Sequence, residues 1–303
     1  MGRASNRSVA SYGQLDPERG VSRPEGSSAN RVLRDFTVQC MQAAGLSVRI
    51  DRVGNIFGRK DGERDHEKAV MVGSHLDSVV NGGHLDGALG VFAGIEAVRR
   101  LRDEAFQNQR PIEVAAFTGE EGSAFMVGDM LGSAVLSGKM SVDEALSTKN
   151  THGRTLYEIL TKNGYQGDFE YCSDEIETFV ELHIEQGPVL DTEGVPVGIV
   201  EHIAGITWLK SIITGIGNHA GTTPMHLRQD ALVAAADAVG FLSRRAREMA
   251  RSQHSPIVGT TGRLHVYPNN MNVVPGKVEL GFDIRSTSVE SMQRLTDETI
   301  SFL

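Results

Sequence analysis

The sequence predicts an α/β fold followed by a separate α+β unit. Three observations predict it. Apolar runs at 69–72, 112–117 and 178–182 each stop at a cluster of histidine or acidic residues. Uninterrupted apolar runs of this length suit strands buried on both faces. Between the first two runs, Leu89, Phe92, Ile95, Val98 and Leu101 recur at helical spacing. Near Gly205 the composition changes, and a strand-helix-strand-strand-helix order follows, which reads as a unit of its own.

Taken in order, residues 1 to about 27 are rich in Ser, Arg, Gly and Pro and read as a loose arm or irregular surface loop. Ser27 or Ser28 can cap a helix over 29–44, with Val32, Leu33, Phe36, Cys40 and Met41 on its apolar face. Short strands are expected at 46–50 and 55–59, and a helical, loop-rich region at 128–170. In the second unit, strands are expected at 206–216, 257–266 and 277–284. Helices are expected at 229–250 and from Val289 onward.

Composition narrows the function. A chain of 303 residues has a length prior of about two domains. A net charge of -9 argues against a nucleic-acid or anionic membrane surface, which needs clustered Lys and Arg. No apolar run approaches the ~18 residues of a membrane span. The first residues are polar, so no signal peptide is expected. Cys40 and Cys172 form no metal or disulfide pattern, and a reducing, cytoplasmic setting is the default.

The chemistry sits at the strand ends. The first run leads into Gly73-Ser-His75-Leu-Asp77 and then Gly82-Gly-His84-Leu-Asp86. The second leads into Glu120-Glu121-Gly, and the third into His183-Ile-Glu-Gln186-Gly-Pro. In open α/β sheets, sites form where strands end and helices begin. His75, Asp86, Glu121 and His183 are therefore expected as ligands of a divalent metal centre. A dinuclear centre needs a carboxylate bridging ions about 3.5–4 Å apart, and Asp86 suits that place. Glu120 is the expected general base. Asp77 can orient the other nitrogen of His75; alternatively it caps a turn. His84 reads as an exposed turn histidine. Arg285 can fork a substrate carboxylate, or pair with Asp283 on the surface. His219 in a Gly-rich loop can donate to an oxyanion or be structural, and Asn272 can be a turn residue.

These motifs, with Gly221-Thr-Thr-Pro-Met, Asn272-Val-Val-Pro-Gly-Lys-Val and Asp283-Ile-Arg285, resemble the M20-type metallohydrolases. More narrowly they resemble the hydantoinase/carbamoylase branch: N-carbamoyl-L-amino-acid hydrolases, allantoate amidohydrolases and β-ureidopropionases. The resemblance implies a metallopeptidase-like α/β catalytic domain with a mixed, largely parallel sheet at 1–204. It also implies an inserted α+β lid at 205–303 that supports a homodimer. Two divalent ions (Zn, Mn, Co or Ni) are implied, one on His75, Asp86 and His183, the other on Asp86, Glu121 and a later histidine. Glu120 would be the base and Gln186 would contact the ureido end. His219 from the partner subunit would stabilise the oxyanion, and Asn272 and Arg285 would hold the carboxylate of a small ureido acid. The activity implied is hydrolysis of a carbamoyl C–N bond, in N-carbamoyl-L-amino acids or in allantoate or ureidoglycolate. The rival is a catalytically inactive carboxylate-binding or dimerisation protein.

That later histidine is not found, since no histidine follows His265. The second ion is expected to keep only Asp86 and Glu121, and to be held more weakly than the first. The sequence is accordingly expected to be a shortened form, by roughly a hundred residues on a domain-size prior.

Overall fold

A computed structural model describes residues 20–125, 130–252 and 256–303. Its contacts divide the chain into two units, Met1–Glu193 and Gly194–Leu303. The start of the loop-rich region expected at 128–170, and most of the arm expected at 1 to about 27, lie outside the described residues.

The first unit opens with α1 (Ser28–Ala43), whose N-cap Ser27 accepts the Asn30 N–H on its side chain. β1 (Ser47–Ile50) and β2 (Ile56–Lys60) form an antiparallel hairpin. The apolar run at 69 then forms β3 (Ala69–His75), which feeds α2 (Ala88–Asp103). β4 (Ile112–Phe117) returns beside β3. Three short helices follow, α3 (Leu131–Leu136), α4 (Val142–Ser147) and α5 (Leu156–Asn163). β5 (Ile176–Val180) and α6 (Val189–Glu193) end the unit.

The sheet order is β1-β2-β4-β3-β5. β3 pairs in parallel with β4 and with β5, while β1, β2 and β4 pair antiparallel. The sheet is therefore mixed rather than largely parallel among the described residues, because the β1–β2 hairpin adds an antiparallel half. One face carries the larger core, with Leu33 and Met41 of α1 and Val91, Ile95 and Val98 of α2. The other face packs Phe57, Met71, Ala115 and Phe117 under Tyr171. The parallel pairing sends β3, β4 and β5 out at one edge, so their following loops share that edge.

The loose arm is a misreading where the chain is described. Val21, Arg23 and Glu25 are buried, and Val21 bridges antiparallel to Gly82. Paired charges and backbone bonds, rather than apolar side chains, hold this segment in.

In the second unit, β6 (Gly205–Thr214), β7 (Asn218–His219), α7 (Ala231–Ser252), β8 (Ile257–Tyr267), β9 (Val273–Val274), β10 (Lys277–Ser286) and α8 (Val289–Phe302) follow in order. β6, β10 and β8 form an antiparallel sheet with β10 in the middle. Alternate residues Val278, Leu280, Phe282 and Ile284 pack with Ala235, Leu242 and Leu295 of α7 and α8. No helix among the described residues is long and apolar enough to cross a membrane.

Candidate metal centre

His75 is the last residue of β3 and is buried. Its Nδ1 lies 3.0 Å from the backbone carbonyl of Asp77. A carbonyl only accepts, so Nδ1 carries the proton and Nε2 keeps its lone pair. His183 has the same arrangement, with Nδ1 2.8 Å from the Ile184 carbonyl. Both free Nε2 atoms face one oxygen, Oδ1 of Asp86, at 3.8 Å from His75 and 3.1 Å from His183. Donor atoms of these three residues all lie within 4.8 Å of one another.

Asp86 sits immediately before Gly87, the N-cap of α2. Gly87 adopts φ +64, and a Cβ there would stand 2.5 Å from the His75 ring. Only glycine allows that imidazole to lie against the turn. Oδ2 of Asp86 accepts a hydrogen bond from Gln186 Nε2 at 2.7 Å. Oδ1 is buried and accepts none, in spite of the two nearby imidazole nitrogens.

The acidic loop after β4 stands beside this cluster. Glu120 Oε2 is 3.5 Å from His75 Nε2. Burial pushes the Glu121 carboxyl up; the His75 charge opposes this, and Asp86, Asp77 and Glu120 add to it. Burial, followed by the charge of Glu25, likewise pushes Asp77 up, against two hydrogen bonds from backbone N–H groups. Four carboxylates crowded beside two imidazoles call for positive charge. The residues therefore fit a divalent cation, held by His75, Asp86 and His183.

The other expected residues are placed as follows. The carboxylate of Asp77 stays 3.7 Å from His75 Nδ1, and the backbone carbonyl of the same residue is the closer partner. Its two oxygens instead accept the N–H groups of Glu120 and Glu121, each at 3.2 Å. Asp77 thus joins the loop after β3 to the loop after β4. Glu121 stands outside the three-residue cluster. The third strand ends at Val180 rather than 182, because its pairing with β3 begins earlier, at Ile176 opposite Ala69. His84, expected exposed, is half-buried and also lies outside the cluster.

The second unit carries His219, Asn272 and Arg285. β7 pairs with β9, and the Ala220 N–H donates to the Asn272 carbonyl at 3.0 Å, so His219 and Asn272 are neighbours. His219 Nδ1 accepts the Gly221 N–H at 3.0 Å. Arg285 lies at the far end of β10, opposite Ile206, and it is forked onto Asp283. From Lys277, beside β9, to Arg285 is eight residues of strand, or about 26 Å. His219 and Asn272 thus lie by the Lys277 end of β10 and Arg285 near its other end.

Sequence reasoning missed Glu25 and the bond from Gln186 to Asp86. The one signal in the sequence was an acidic residue just ahead of a helix cap; the left-handed φ of +59 at Gln186 is visible only in the structure.

The sequence profile of Peptidase family M20/M25/M40 matches residues 71–291. The N-carbamoyl-L-amino acid amidohydrolase of Geobacillus stearothermophilus is 42% identical over 278 residues, covering 90% of this chain and 66% of that protein. An amidase of the hydantoinase/carbamoylase family from Burkholderia multivorans has a TM-score of 0.86 at 35% identity, over 99% of this chain and 72% of its own. The crystal structure of AtUAH in complex with (S)-hydroxyglycine has a TM-score of 0.84 at 31% identity, over 99% of this chain and 72% of its own. The chain spans about two thirds of the length of the curated relative it matches.

Proposed function

The chain belongs to the M20/M25/M40 peptidase family, in the hydantoinase/carbamoylase branch, and on that basis we propose a metal-dependent amidohydrolase acting on a ureido or carbamoyl acid. One observation carries the reading: Asp86 Oδ1, buried and without a hydrogen bond, faces the free Nε2 atoms of His75 and His183. A divalent ion, when bound, would supply charge that polarises a carbonyl and lowers the pKa of water towards roughly 7. His75, Asp86 and His183 would hold it. A second ion would take Asp86 and Glu121 from this chain. Glu120 takes the proton from the attacking water and delivers it to the leaving nitrogen. Gln186, fixed on Asp86, offers its remaining polar atoms to the ureido end.

Arg285 supplies a fork for the substrate carboxylate, and His219 and Asn272 supply donors to the oxyanion and the carboxylate. The placement of His219 and Asn272 beside the Lys277 end of β10, with Arg285 about 26 Å along the strand from Lys277, favours a site that draws the three from two copies of the chain. This supports a homodimer through the second unit. A fixed carboxylate anchor favours small ureido acids. The ureidoglycolate hydrolase of Arabidopsis thaliana and the probable allantoate deiminase of Oryza sativa, each 36% identical, support ureidoglycolate-like and allantoate-like substrates, and the Geobacillus relative supports N-carbamoyl-L-amino acids.

A second reading has an observation of its own. Among the described residues only three ligands converge, and Glu121 is not one of them. A carboxylate-binding protein without turnover fits that arrangement.

Ammonia release from allantoate, ureidoglycolate and N-carbamoyl-L-amino acids, with Mn, Co, Ni or Zn added, separates these readings. Metal-dependent ammonia from any of them supports the enzyme. Metal binding with no turnover on the whole panel supports the second reading.

A further inference from the structure

The segment ahead of α1 carries two charged side chains that are almost fully buried, Arg23 at 0% and Glu25 at 5% exposure. Backbone pairing ties this segment to the loop after β3. Val21 and Gly82 exchange N–H···O bonds of 3.0 and 2.8 Å, and the Ser78 N–H donates to the Arg23 carbonyl at 3.1 Å. The Arg23 N–H donates to Ser78 Oγ at 2.9 Å, and Arg23 Nε donates to the Leu76 carbonyl at 3.3 Å.

Glu25 turns the other way, to the loop after β4. Its Oε2 accepts the Gly119 N–H at 3.2 Å. The next two N–H groups, of Glu120 and Glu121, end on Asp77. Three successive amides thus converge on two buried carboxylates, the arrangement of an anion-binding nest. Gly119 makes the turn possible at φ +64. Arg34, itself buried, compensates the Glu25 charge with Nη1 at 3.5 Å from Oε2. The Gly26 N–H occupies Oε1 at 3.1 Å. A buried ion pair is seldom the most stabilising filling for such a space. What the carboxylate adds is an acceptor for the amide immediately before Glu120.

We propose that Glu25 is a positioning residue that, with Asp77, fixes the backbone of residues 119–121 and so aims Glu120 and Glu121 into the metal centre. The catalytic half of this statement rests on the function proposed above; the structural half does not. Misplacing a reacting group by about 1 Å can cost on the order of 10²-fold in rate.

The test uses the full chain with Glu25→Ala and Glu25→Gln. Three quantities are read: amide hydrogen exchange at 118–122 and across β3, bound metal per chain, and kcat and KM on a ureido acid. Glu25→Ala should speed exchange at 119–121 about tenfold or more, leaving β3 unchanged. The ion on His75, Asp86 and His183 should hold, kcat should fall about tenfold, and KM should stay within about twofold of wild type. Glu25→Gln keeps an acceptor oxygen and should recover most of both effects. If the alanine variant does not fold, Glu25→Asp, one methylene shorter, must show the same local exchange. Unchanged exchange at 119–121, or equal acceleration throughout β3, overturns the proposal. Wild-type protein that releases no ammonia from any ureido acid defeats the functional reading instead, and exchange then decides the positioning role alone.

Discussion

Arg285 lays its guanidinium fork on Asp283, with Nε donating to Oδ1 and Nη2 to Oδ2, both at 2.8 Å. The two residues are two apart on β10 and share one face of the strand. Trp208 Nε1 adds a third bond to Oδ2 at 2.9 Å. These hydrogen bonds hold the Asp283 carboxyl below its ordinary range, with the Arg285 bond the largest cause. A substrate carboxylate must share or displace Asp283 to use the fork. Arg285→Lys should therefore raise KM for ureido acids at least about tenfold more than for their neutral amide analogues, since a point charge cannot replace a bidentate fork. Equal losses on both substrate types would mean that Arg285 serves only Asp283.

Glu120→Gln should leave bound metal nearly intact and lower kcat by about 10² or more, the usual scale for losing a general acid or base. Asp86→Ala should strip the metal. Metal analysis run beside kcat separates the two, and near wild-type turnover in Glu120→Gln would remove the base from its role.

Asp77→Ala should loosen the loop after β4, because two partly buried N–H groups lose their acceptor. A fully buried donor left unsatisfied costs about 1–3 kcal/mol, and partial access to water sets the cost here towards the lower end. A lower midpoint in urea unfolding, with accelerated exchange at Glu120 and Glu121, is the expected result. An unchanged midpoint would show that water replaces Asp77 freely.

Arg245 joins α7 to α8 through both carboxylate oxygens of Glu298, and Arg294 adds a bond of 3.0 Å to Oε1. The Arg245 hydrogen bond, the largest cause, lowers the Glu298 carboxyl to about 2 from an ordinary 4.5. A depressed carboxyl stabilises the fold above its unfolded value and loses that contribution as pH falls through its folded value. Partial exposure screens the pair to about 1 kcal/mol. Glu298→Gln should cost that amount in urea unfolding at pH 7, and the gap from wild type should close between pH 4.5 and about 2. A gap that persists at the acid end would mean packing, not charge, sets it.

Much of the fold was legible because apolar runs and caps are local signals. The run at 112–117 matches β4, and the helix expected at 29–44 matches α1 to within a residue. The convergence of His75, Asp86 and His183 followed from two parallel neighbours, β3 and β5, that stop at chemistry-bearing residues. The rest depends on contacts between residues distant in sequence. Glu25 and Gly119, or Gln186 and Asp86, carry no local pattern that announces their meeting. A Ser-, Arg- and Gly-rich segment reads as surface, and nothing short of the fold shows that Arg34 and the Gly119 amide draw Glu25 inside. The pairing of Arg285 with Asp283, by contrast, is visible as a two-residue spacing along a strand.

The central claim is that His75, Asp86 and His183 form a cation site. Isothermal titration of the metal-stripped chain with Zn or Mn, beside Asp86→Ala and His183→Ala, tests it most directly. At least one ion should bind tightly per wild-type chain, any second ion more weakly, and the tight ion should be lost in both variants. No binding to the wild-type chain, or equal binding to all three proteins, would contradict it.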